Sequence, residues 1–451
     1  MPHSIAIVGT GPAGFYLADL LTKKLDPCQL DLIDRLPSPF GLVRAAVAPD
    51  HIPTKNITRQ FERVLQRDNV RFLGNIEVGQ DISYEELKAC YDTVIIATGA
   101  IEDRKLYLEG ADSEGVYGSG HFVTWYNAHP DNHHFNPKLD GKHIAIIGNG
   151  NVALDIARIL SKTPEEMTDS DINPQAQQLI KDSPVEDIYI IGRRGPEEAS
   201  FTPFELEELS QLNQAVPLIY SFNSESVSIP QQIGEGYDSR ESKIRQKNLE
   251  VLQSYSENQA GDEAIRLHFV FWHSPSKINT ENGRIRSLSL NKTQLEDNRL
   301  VETGETLTLP VDTLISAIGY RSTPIPGIPF DQQAGIVRNE QGRVEPGVYC
   351  VGWCKRGPQG VIPSNRADAI EMAKTIIADL EAQPSDQSNS QSGAQTKPGP
   401  DAIDELLSAR KIRVVSTDDW RKIDQAEINR APEGKVREKF ATVEQMLAVL
   451  D

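Results

Sequence analysis

Two glycine-rich segments constrain the fold of this 451-residue chain more than any other feature of its sequence. The first, residues 9–14 (GTGPAG), follows the apolar run 4–8 and opens a helical pattern. The second, residues 148–153 (GNGNVA), stands in the same way after the apolar run 143–147. A buried strand that turns through glycines into a helix is typical of the β-α-β unit of parallel sheets. The sequence therefore predicts the α/β class, with two interleaved Rossmann-like (doubly wound) nucleotide-binding domains.

A weak internal repeat indicates how the two domains are arranged along the chain. Residues 92–99 (DTVIIATG) resemble residues 312–319 (DTLISAIG), and both have the pattern of a buried strand that ends in glycine. One copy follows each glycine unit, which indicates two copies of one nucleotide-binding plan. We therefore expect a discontinuous first domain of residues 1–103 and 322–451, with a second domain of residues 104–321 inserted in it.

The first glycine segment has the sequence context of a dinucleotide site. Gly9, Gly11 and Gly14 are the glycines that let a backbone approach a pyrophosphate. Pro12 and Ala13 begin the helix, whose N-terminus carries unpaired N–H groups and favours negative charge. These residues are expected to bind a cofactor.

The residues after the second strand of each unit indicate which nucleotide it binds. Asp34 comes 20 residues after Gly14 and can accept hydrogen bonds from an adenosine ribose. The second unit carries Arg193 and Arg194 instead, and two guanidinium groups favour the 2′-phosphate of NADP. Because two dinucleotide sites in one chain imply hydride transfer between cofactors, the first site is expected to hold a flavin.

Composition argues against several other classes. The net charge of −19, from 46 Lys and Arg against 65 Asp and Glu, disfavours binding to nucleic acid. No apolar run approaches the roughly 18 residues of a membrane span, and the N-terminus lacks a signal-peptide pattern, so a cytoplasmic protein without membrane insertion is expected. No pair of the four cysteines has zinc-site spacing, so no metal is expected. Cys350 and Cys354 form CxxxC rather than the CxxC or CxxxxC of flavin disulfide reductases.

Sequence blocks spread over most of residues 4–370 resemble the adrenodoxin reductase type of ferredoxin–NADP(+) reductase. They are PFGLVR at 39–44, APDH at 48–51, GNGNVALD at 148–155, RRGP at 193–196, FT at 201–202 with ELEEL at 205–209, and GW, KRGP and GVI at 352–353, 355–358 and 360–362. The blocks follow the family order, and as a set they are specific. Cys354 departs from the family pattern, which usually has an aliphatic residue at that position.

This resemblance implies FAD in the first site and NADPH in the second. To FAD it assigns Ala13, Asp34, Leu42, Val78, Trp353, Gly360, Val361 and Ile362. To NADP it assigns Asn149, Gly150, Asn151, Val152, Arg193, Arg194, Glu205 and Gly360. His51 and Glu208 match the pair that tunes hydride transfer in this family. The implied enzyme is a ferredoxin–NADP(+) reductase, in which NADPH passes a hydride to FAD and FAD releases single electrons to a ferredoxin-like or adrenodoxin-like iron–sulfur carrier.

Two other functions are open at this point. An NADPH-dependent diaphorase acting on quinones or small acceptors shares every motif above. A redox sensor that binds both nucleotides without turnover belongs to a different class, and complete motifs for two cofactors argue against it.

Three further expectations concern surfaces and boundaries. An acidic carrier would need a local basic patch, and the candidates are Lys55, Arg59, Arg63 and Arg67 on one expected helix, and Arg240, Lys243, Arg245 and Lys247. Residues 382–401 (AQPSDQSNSQSGAQTKPGPD) have almost no large apolar residues, so a flexible linker within the first domain is expected. Ser364 or Asn365 is expected to cap the helix that runs to about Leu380.

Overall fold

The computed structural model describes residues 2–222, 225–261, 264–382 and 397–451. The strands are β1 His3–Val8, β2 Cys28–Ile33, β3 Val70–Leu73, β4 Thr93–Ile96, β5 Glu102–Asp103, β6 Val116–Gly118, β7 His143–Ile147, β8 Asp187–Ile191, β9 Ala215–Ile219, β10 Ser221–Phe222, β11 Glu225–Ser226, β12 Ile265–Val270, β13 His273–Glu281, β14 Arg284–Glu296, β15 Arg299–Pro310, β16 Thr313–Ser316, β17 Tyr320–Arg321, β18 Phe330–Asp331, β19 Ile336–Val337, β20 Arg343–Glu345 and β21 Val348–Cys350. The helices are α1 Pro12–Lys24, α2 Leu42–Ala45, α3 Ile52–Lys55, α4 Thr58–Leu65, α5 Tyr84–Cys90, α6 Ser119–Tyr126, α7 Asn151–Ser161, α8 Pro174–Lys181, α9 Pro203–Glu208, α10 Ser239–Ser256, α11 Trp353–Arg356, α12 Ile362–Ala382, α13 Pro400–Ala409, α14 Thr417–Asn429 and α15 Val443–Ala448, with 3₁₀ turns at Pro130–Asn132 and Leu209–Gln211.

These elements belong to two compact units. The first consists of Met1–Val47, His51–Glu102 and Gly319–Asp451, and the second of Ala48–Asp50 and Asp103–Ile318. The short segment Ala48–Asp50 therefore packs with the second unit, although the expected boundaries put it in the first domain.

The predicted linker lies mostly outside the described residues, which omit 383–396. Of its two ends, Ala382 is the last residue of α12, and Pro400 is the first residue of α13.

The sheet of the first unit is buried on both faces. Its order is β20-β21-β4-β1-β2-β3, with every pair parallel except β20 and β21. Side chains of β1 alternate between two apolar clusters, because successive residues of a strand point to opposite faces. Ile5 and Ile7 join α1, α12 and α14, whereas Ala6 and Val8 join α5 and α13. Helices on both faces of a parallel sheet confirm the predicted fold class for this unit.

The sheet of the second unit is fully parallel, in the order β6-β16-β7-β8-β12-β9. On one face, Ala145 and Ile147 of β7 pack in a cluster with Leu288 and Leu290 of β14. That strand belongs to the antiparallel sheet β13-β14-β15. A sheet therefore covers this face where the doubly wound plan has helices, which differs from the predicted fold.

The internal repeat corresponds to equivalent positions in the two sheets. β4 pairs in parallel with β1, the strand before the first glycine loop. β16 pairs in parallel with β7, the strand before the second glycine loop. Each repeated segment therefore forms the strand that pairs with the one preceding a glycine loop.

Two local predictions are wrong. The helix expected to carry Lys55 and Arg67 is broken into α3 and α4, and Arg67 lies beyond the end of α4. The hydroxyl of Thr58 donates a hydrogen bond to the carbonyl oxygen of Lys55 at the break, a local bond that competes with helix geometry. Neither Ser364 nor Asn365 caps α12, because the helix already begins at Ile362. The proline that follows Ile362 fits a first turn, where no N–H is needed.

Among the described residues, no helix is both long enough and apolar enough to cross a membrane.

Candidate functional site

The first glycine loop joins β1 to α1, and each of its three glycines is needed for a different structural reason. Gly9 has a φ of +104°, and a Cβ atom there would lie 2.5 Å from the carbonyl oxygen of Ala97. A Cβ atom on Gly14 would lie 2.3 Å from the carbonyl oxygen of Gly9. A Cβ atom on Gly11 would meet no atom of the described residues within 4 Å. The outer glycines are thus required by packing, and the middle one keeps open the space that a pyrophosphate would fill.

The helix that follows this loop has an uncapped N-terminus. Gly11 is the N-cap residue and makes no side-chain cap, while Pro12 occupies the first turn and Ala13 is buried. The first-turn N–H groups are therefore available to an anion. This chemistry fits a dinucleotide.

Asp34 lies directly after β2 and is fixed beside the loop. Its carboxylate accepts hydrogen bonds from the N–H of Thr10, at 2.9 Å, and from the Thr10 hydroxyl. Its other oxygen accepts from the N–H of Leu36 at 3.0 Å. A carboxylate can accept about four hydrogen bonds. Asp34 therefore keeps acceptor capacity for a ribose hydroxyl.

Two other residues assigned to FAD lie near the same end of this sheet. Leu42 begins α2, and a Cβ atom on the preceding Gly41 would lie 3.1 Å from the Cα of Gly11. Val78 is buried in one cluster with Val8 and Ile33, the last residues of β1 and β2.

The late block 352–362 also comes back to the first loop. A Cβ atom on Gly352 would lie 2.5 Å from the Cβ of Ala13, so the backbone of this block contacts α1 directly. The indole N–H of Trp353 donates to the carbonyl oxygen of Gln359 at 3.1 Å. Gly360 has a φ of +80°, and the following Val361 is 53% exposed. The fold thus brings Gly352, the chain neighbour of Trp353, against Ala13 of the first loop.

The second glycine loop repeats this geometry in the other unit. Gly148 has a φ of +139°, and a Cβ atom there would lie 2.4 Å from the carbonyl oxygen of Ala317. Gly150 is the N-cap of α7 and makes no side-chain cap. Val152 is half-buried in the first turn of that helix.

The asparagines of this loop carry a feature that fits a ligand. Asn151 accepts a hydrogen bond through Oδ1 from the N–H of Thr202, at 2.8 Å. Asn149 has a buried Oδ1 with no hydrogen-bond partner among the described residues. Buried polar atoms are rarely left unpaired. An unpaired acceptor in a glycine loop therefore fits a group supplied by a bound nucleotide.

Arg193 and Arg194 follow β8, and their side chains are exposed. Their backbone is anchored, because the hydroxyl of Thr293 donates to Arg193 O and the N–H of Trp272 donates to Arg194 O. Within the described part of the chain, neither guanidinium group has a salt bridge. Glu205 lies in the first turn of α9. An anchored backbone with two unpaired guanidinium groups fits a terminal phosphate group.

Glu208 belongs to a buried ion cluster centred on Arg158. The Arg158 side chain is only 1% exposed and pairs with Glu208 at 2.8 Å and with Asp155 at 2.8 Å. It also donates two hydrogen bonds of 3.0 Å to the carboxylate of Asp50. Lys162 adds a second cation, 2.7 Å from Asp50. Two cations and three carboxylates thus share one site in the second unit.

Electrostatics keeps Asp50 ionised. Burial alone would raise the pKa of Asp50, but the charges of Arg158 and Lys162 lower this pKa well below its ordinary value. Its chain neighbour, His51, is half-buried and precedes α3. The cluster therefore holds Glu208 directly and fixes the residue before His51.

Sequence reasoning missed Arg158, although a signal was present. In the run ALDIARIL, Arg158 lies four residues after the buried Leu154, on the apolar face of α7. A charged residue on a buried face requires partners of opposite charge.

The cysteines do not form a redox pair. All four are free and buried. Burial raises the pKa of the Cys354 thiol to about 11 and also raises that of Cys350. A reactive cysteine needs a lowered thiol pKa and exposure. Cys350 and Cys354 have neither feature, and the absence of disulfide chemistry stays a prediction. The described residues also contain no cluster of His, Cys, Asp and Glu that could hold a metal ion.

Two nucleotide-type loops, each following a parallel strand of its own sheet, one beside a carboxylate and one beside two arginines, define a pyridine-nucleotide-dependent oxidoreductase. Comparison with known proteins agrees: residues 3–189 match the family described as pyridine nucleotide-disulphide oxidoreductase. The chain is 36% identical to the NADPH-ferredoxin reductase FprA of Mycobacterium tuberculosis, over 99% of both chains. It is 38% identical to the mitochondrial NADPH:adrenodoxin oxidoreductase of Arabidopsis thaliana, over 99% of this chain and 95% of the relative.

The structure agrees with the sequence comparison. The solved structure of Mycobacterium tuberculosis FprA in complex with NADPH matches with a TM-score of 0.91 at 35% identity, covering 100% of this chain and 99% of the other. The chain therefore belongs to the family of NADPH-ferredoxin reductases and NADPH:adrenodoxin oxidoreductases, and it is an oxidoreductase. The family predicted from the sequence blocks is confirmed.

Proposed function

We propose that this protein is an FAD-dependent ferredoxin–NADP(+) reductase, which transfers electrons between NADPH and a one-electron iron–sulfur carrier. The observation that carries the proposal is the pair of glycine loops. Each follows an interior strand of its own sheet, and each is accompanied by a different group that selects the nucleotide, Asp34 in one unit and Arg193 with Arg194 in the other. The relatives that match over the full chain are named for NADPH and for ferredoxin or adrenodoxin. When bound, the flavin accepts a hydride and gives up electrons one at a time, which suits such a carrier.

In this proposal each unit binds one of the two dinucleotides. In the first unit, the uncapped start of α1 receives the pyrophosphate of FAD, and Asp34 accepts hydrogen bonds from its ribose. In the second unit, the α7 N-terminus receives the pyrophosphate of NADPH, while Arg193 and Arg194 bind its 2′-phosphate. The predicted domain boundaries follow this division, with FAD bound by the outer domain and NADPH by the inserted one.

His51 and Glu208 are proposed to tune hydride transfer rather than to bind a cofactor. The ion pair from Arg158 holds the Glu208 carboxylate in one position, and hydride transfer depends on geometry and electrostatics. His51→Gln and Glu208→Gln should each retain full FAD and change the rate of flavin reduction about 3- to 30-fold, which is about 0.6–2 kcal/mol of barrier. Stopped-flow reduction by NADPH between about pH 6 and 8 measures this, because histidine ordinarily titrates in that range. Parental rates and pH profiles in both variants would assign the pair a structural role.

The proposed activity is tested with the purified holoprotein. Anaerobic titration with NADPH should bleach the flavin absorbance, and denaturation should release FAD rather than FMN. Steady-state rates should then be higher with an acidic [2Fe–2S] ferredoxin than with a quinone. Bleaching without ferredoxin reduction would favour the diaphorase, and no bleaching would favour a sensor without turnover.

The cellular location is proposed to be the cytoplasm, where NADPH and a soluble carrier would both be available. The plant and mammalian relatives are named mitochondrial. Fractionation of the source cells, with the protein detected by antibody, decides between the two compartments.

A further inference from the structure

A cleft of about 560 Å³ opens on the first unit, lined by α1, α4 and the start of α12. Tyr16, Ile57, Ile362 and Pro363 give it an apolar lining. This cleft is not part of either glycine loop. It nevertheless includes Ile362, which is also one of the residues assigned to FAD.

Arginines surround this lining. Arg59 and Arg63 of α4 line the cleft and are exposed, since α4 turns Phe61, Val64 and Leu65 to the core. Neither arginine forms a salt bridge with any described residue. The two are four residues apart, so they lie on the same face of the helix.

A third arginine adds to the positive charge. Burial raises the pKa of the Tyr16 hydroxyl, and the charge of Arg366 partly opposes this rise. Arg366 is exposed and, within the described residues, has no salt bridge. The carboxylate next to these arginines along α4 is Glu62. Burial raises the pKa of Glu62, and Asp424 of α14 raises it further, against the charges of Arg437, Arg59 and Arg421.

These arginines are unusual on a chain with a net charge of −19. Carboxylates are in excess, yet Arg59, Arg63 and Arg366 form no salt bridge within the described part of the chain. An apolar centre with a charged rim is also the anatomy of a protein interface. Unpaired rim charges steer encounters with a partner of opposite charge. The cleft therefore fits an acidic surface.

The second basic segment, residues 240–247, is less available to an acidic partner. On α10, Arg245 pairs with Glu241 at 2.8 Å, and Lys247 pairs with Glu207 at 3.3 Å. Two of its four cations are thus already neutralised within the chain.

We propose that the acidic iron–sulfur carrier docks on the α4 cleft, defined by Tyr16, Arg59, Arg63 and Ile362. This inference rests on the proposed function and extends it by naming the docking surface. A carrier seated there contacts Ile362, the end of the block assigned to FAD. The arginines give local attraction that the net charge of the chain opposes at long range.

The test reverses two charges that take no part in either nucleotide site. The double variant Arg59→Glu/Arg63→Glu is prepared as FAD-loaded holoenzyme, with Arg59→Lys/Arg63→Lys as the conservative variant. Reduction of an acidic [2Fe–2S] ferredoxin by NADPH should show a KM raised roughly tenfold or more at low salt. The difference should shrink at about 0.5 M NaCl, because salt screens exposed charges. The lysine variant should stay within about threefold of the parent, since it keeps both charges.

Ferricyanide reduction separates docking from the remainder of the reaction. It should match the parent in every variant, since this small acceptor needs no docking surface. Loss of ferricyanide activity, or a parental KM for ferredoxin in the glutamate variant, would overturn the proposal. A larger effect from Arg240→Glu/Lys243→Glu would move the docking site to α10. Inhibition by inorganic phosphate beyond that of NaCl at equal ionic strength would identify a small-anion site instead. A parent enzyme that reduces ferricyanide but no ferredoxin would contradict the proposed function itself.

Discussion

Replacing Arg158 by methionine tests whether the buried ion cluster holds the second unit together. Methionine is unbranched and apolar, so Arg158→Met removes the charge and leaves much of the side-chain packing of α7 in place. The variant removes the Arg158 cation from Glu208, Asp155 and Asp50, while Asp50 keeps Lys162. The expected result is a large loss of stability at neutral pH.

The size of this loss follows from burial and geometry. Removing one partner of a buried ion pair costs about 3–5 kcal/mol, because the other charge stays buried and uncompensated. The side chain of Asp50 is 7% exposed, but those of Asp155 and Glu208 are 18% and 21% exposed and can recover some hydration. With Lys162 still on Asp50, we expect a loss of about 2–4 kcal/mol in the free energy of unfolding. In a domain of 150–250 residues this lowers the Tm by roughly 5–15 °C.

The loss of stability in Arg158→Met should depend on pH. In the parent, the lowered pKa of Asp50 means that its ion pairs stabilise the fold fully above the ordinary carboxyl pKa of about 4. That stability is lost as the pH falls towards the lowered folded-state value. In Arg158→Met the Asp50 carboxylate keeps the burial that raises its pKa but loses one of the two cations that lower it, so its protonation as the pH falls relieves part of the cost. The Tm difference between parent and variant should therefore be smaller at about pH 5 than near neutral pH.

Thermal unfolding followed by far-UV circular dichroism measures these differences. Arg286→Met is the matched control, because Arg286 also belongs to the second unit but its pair with Glu281 is exposed at 51% and 68%. Exposed pairs contribute at most about 1 kcal/mol. Equal Tm losses in the two variants, or a loss from Arg158→Met that does not change with pH, would refute the reasoning.

The remaining predictions concern the loops, the nucleotide preference and the thiols. Gly11→Ala should keep the parental Tm of the apoprotein and raise the Kd for FAD at least about tenfold, because its Cβ enters open space needed by the cofactor. Gly9→Ala should instead lower the Tm of the apoprotein, since its Cβ overlaps backbone and its φ is positive. Removing both Arg193 and Arg194 should lower kcat/KM for NADPH about 30- to 1,000-fold, or roughly 2–4 kcal/mol, and leave the value for NADH nearly unchanged; equal losses would mean that they support the fold. Cys354→Ala should leave the rate of flavin reduction by NADPH within about twofold of the parent, and a larger loss would indicate thiol chemistry.

The parts of the fold that the sequence predicted well depend on interactions between near neighbours. A strand, a glycine turn and a helix are set by residues a few positions apart, and β7 matches the predicted run 143–147. The break between α3 and α4 escaped prediction because local hydrogen bonds such as that from Thr58 to Lys55 leave no mark on the spacing of charged and apolar residues. The antiparallel strands β13–β15 were not predicted, because a strand pattern does not show which sheet its apolar residues pack against. Their role as a layer on β7 and β8 appears only in the packed cluster.

The candidate site divides along the same line, and the division explains why the loops were easier to find than the groups that act with them. Each glycine loop can be recognised in the sequence because a Cβ atom would overlap the backbone that strand pairing brings close. This backbone belongs to Ala97 for Gly9 and to Ala317 for Gly148. Arg158 meets Asp50 across 108 positions of the chain, and its sequence signal is one cation on an apolar helix face. Such a signal predicts that partners exist without identifying them, because any carboxylate that folding brings close will serve. Residues that determine the backbone conformation can therefore be identified from the sequence. The partners of a buried charge, which are distant along the chain, can be identified only from the folded structure.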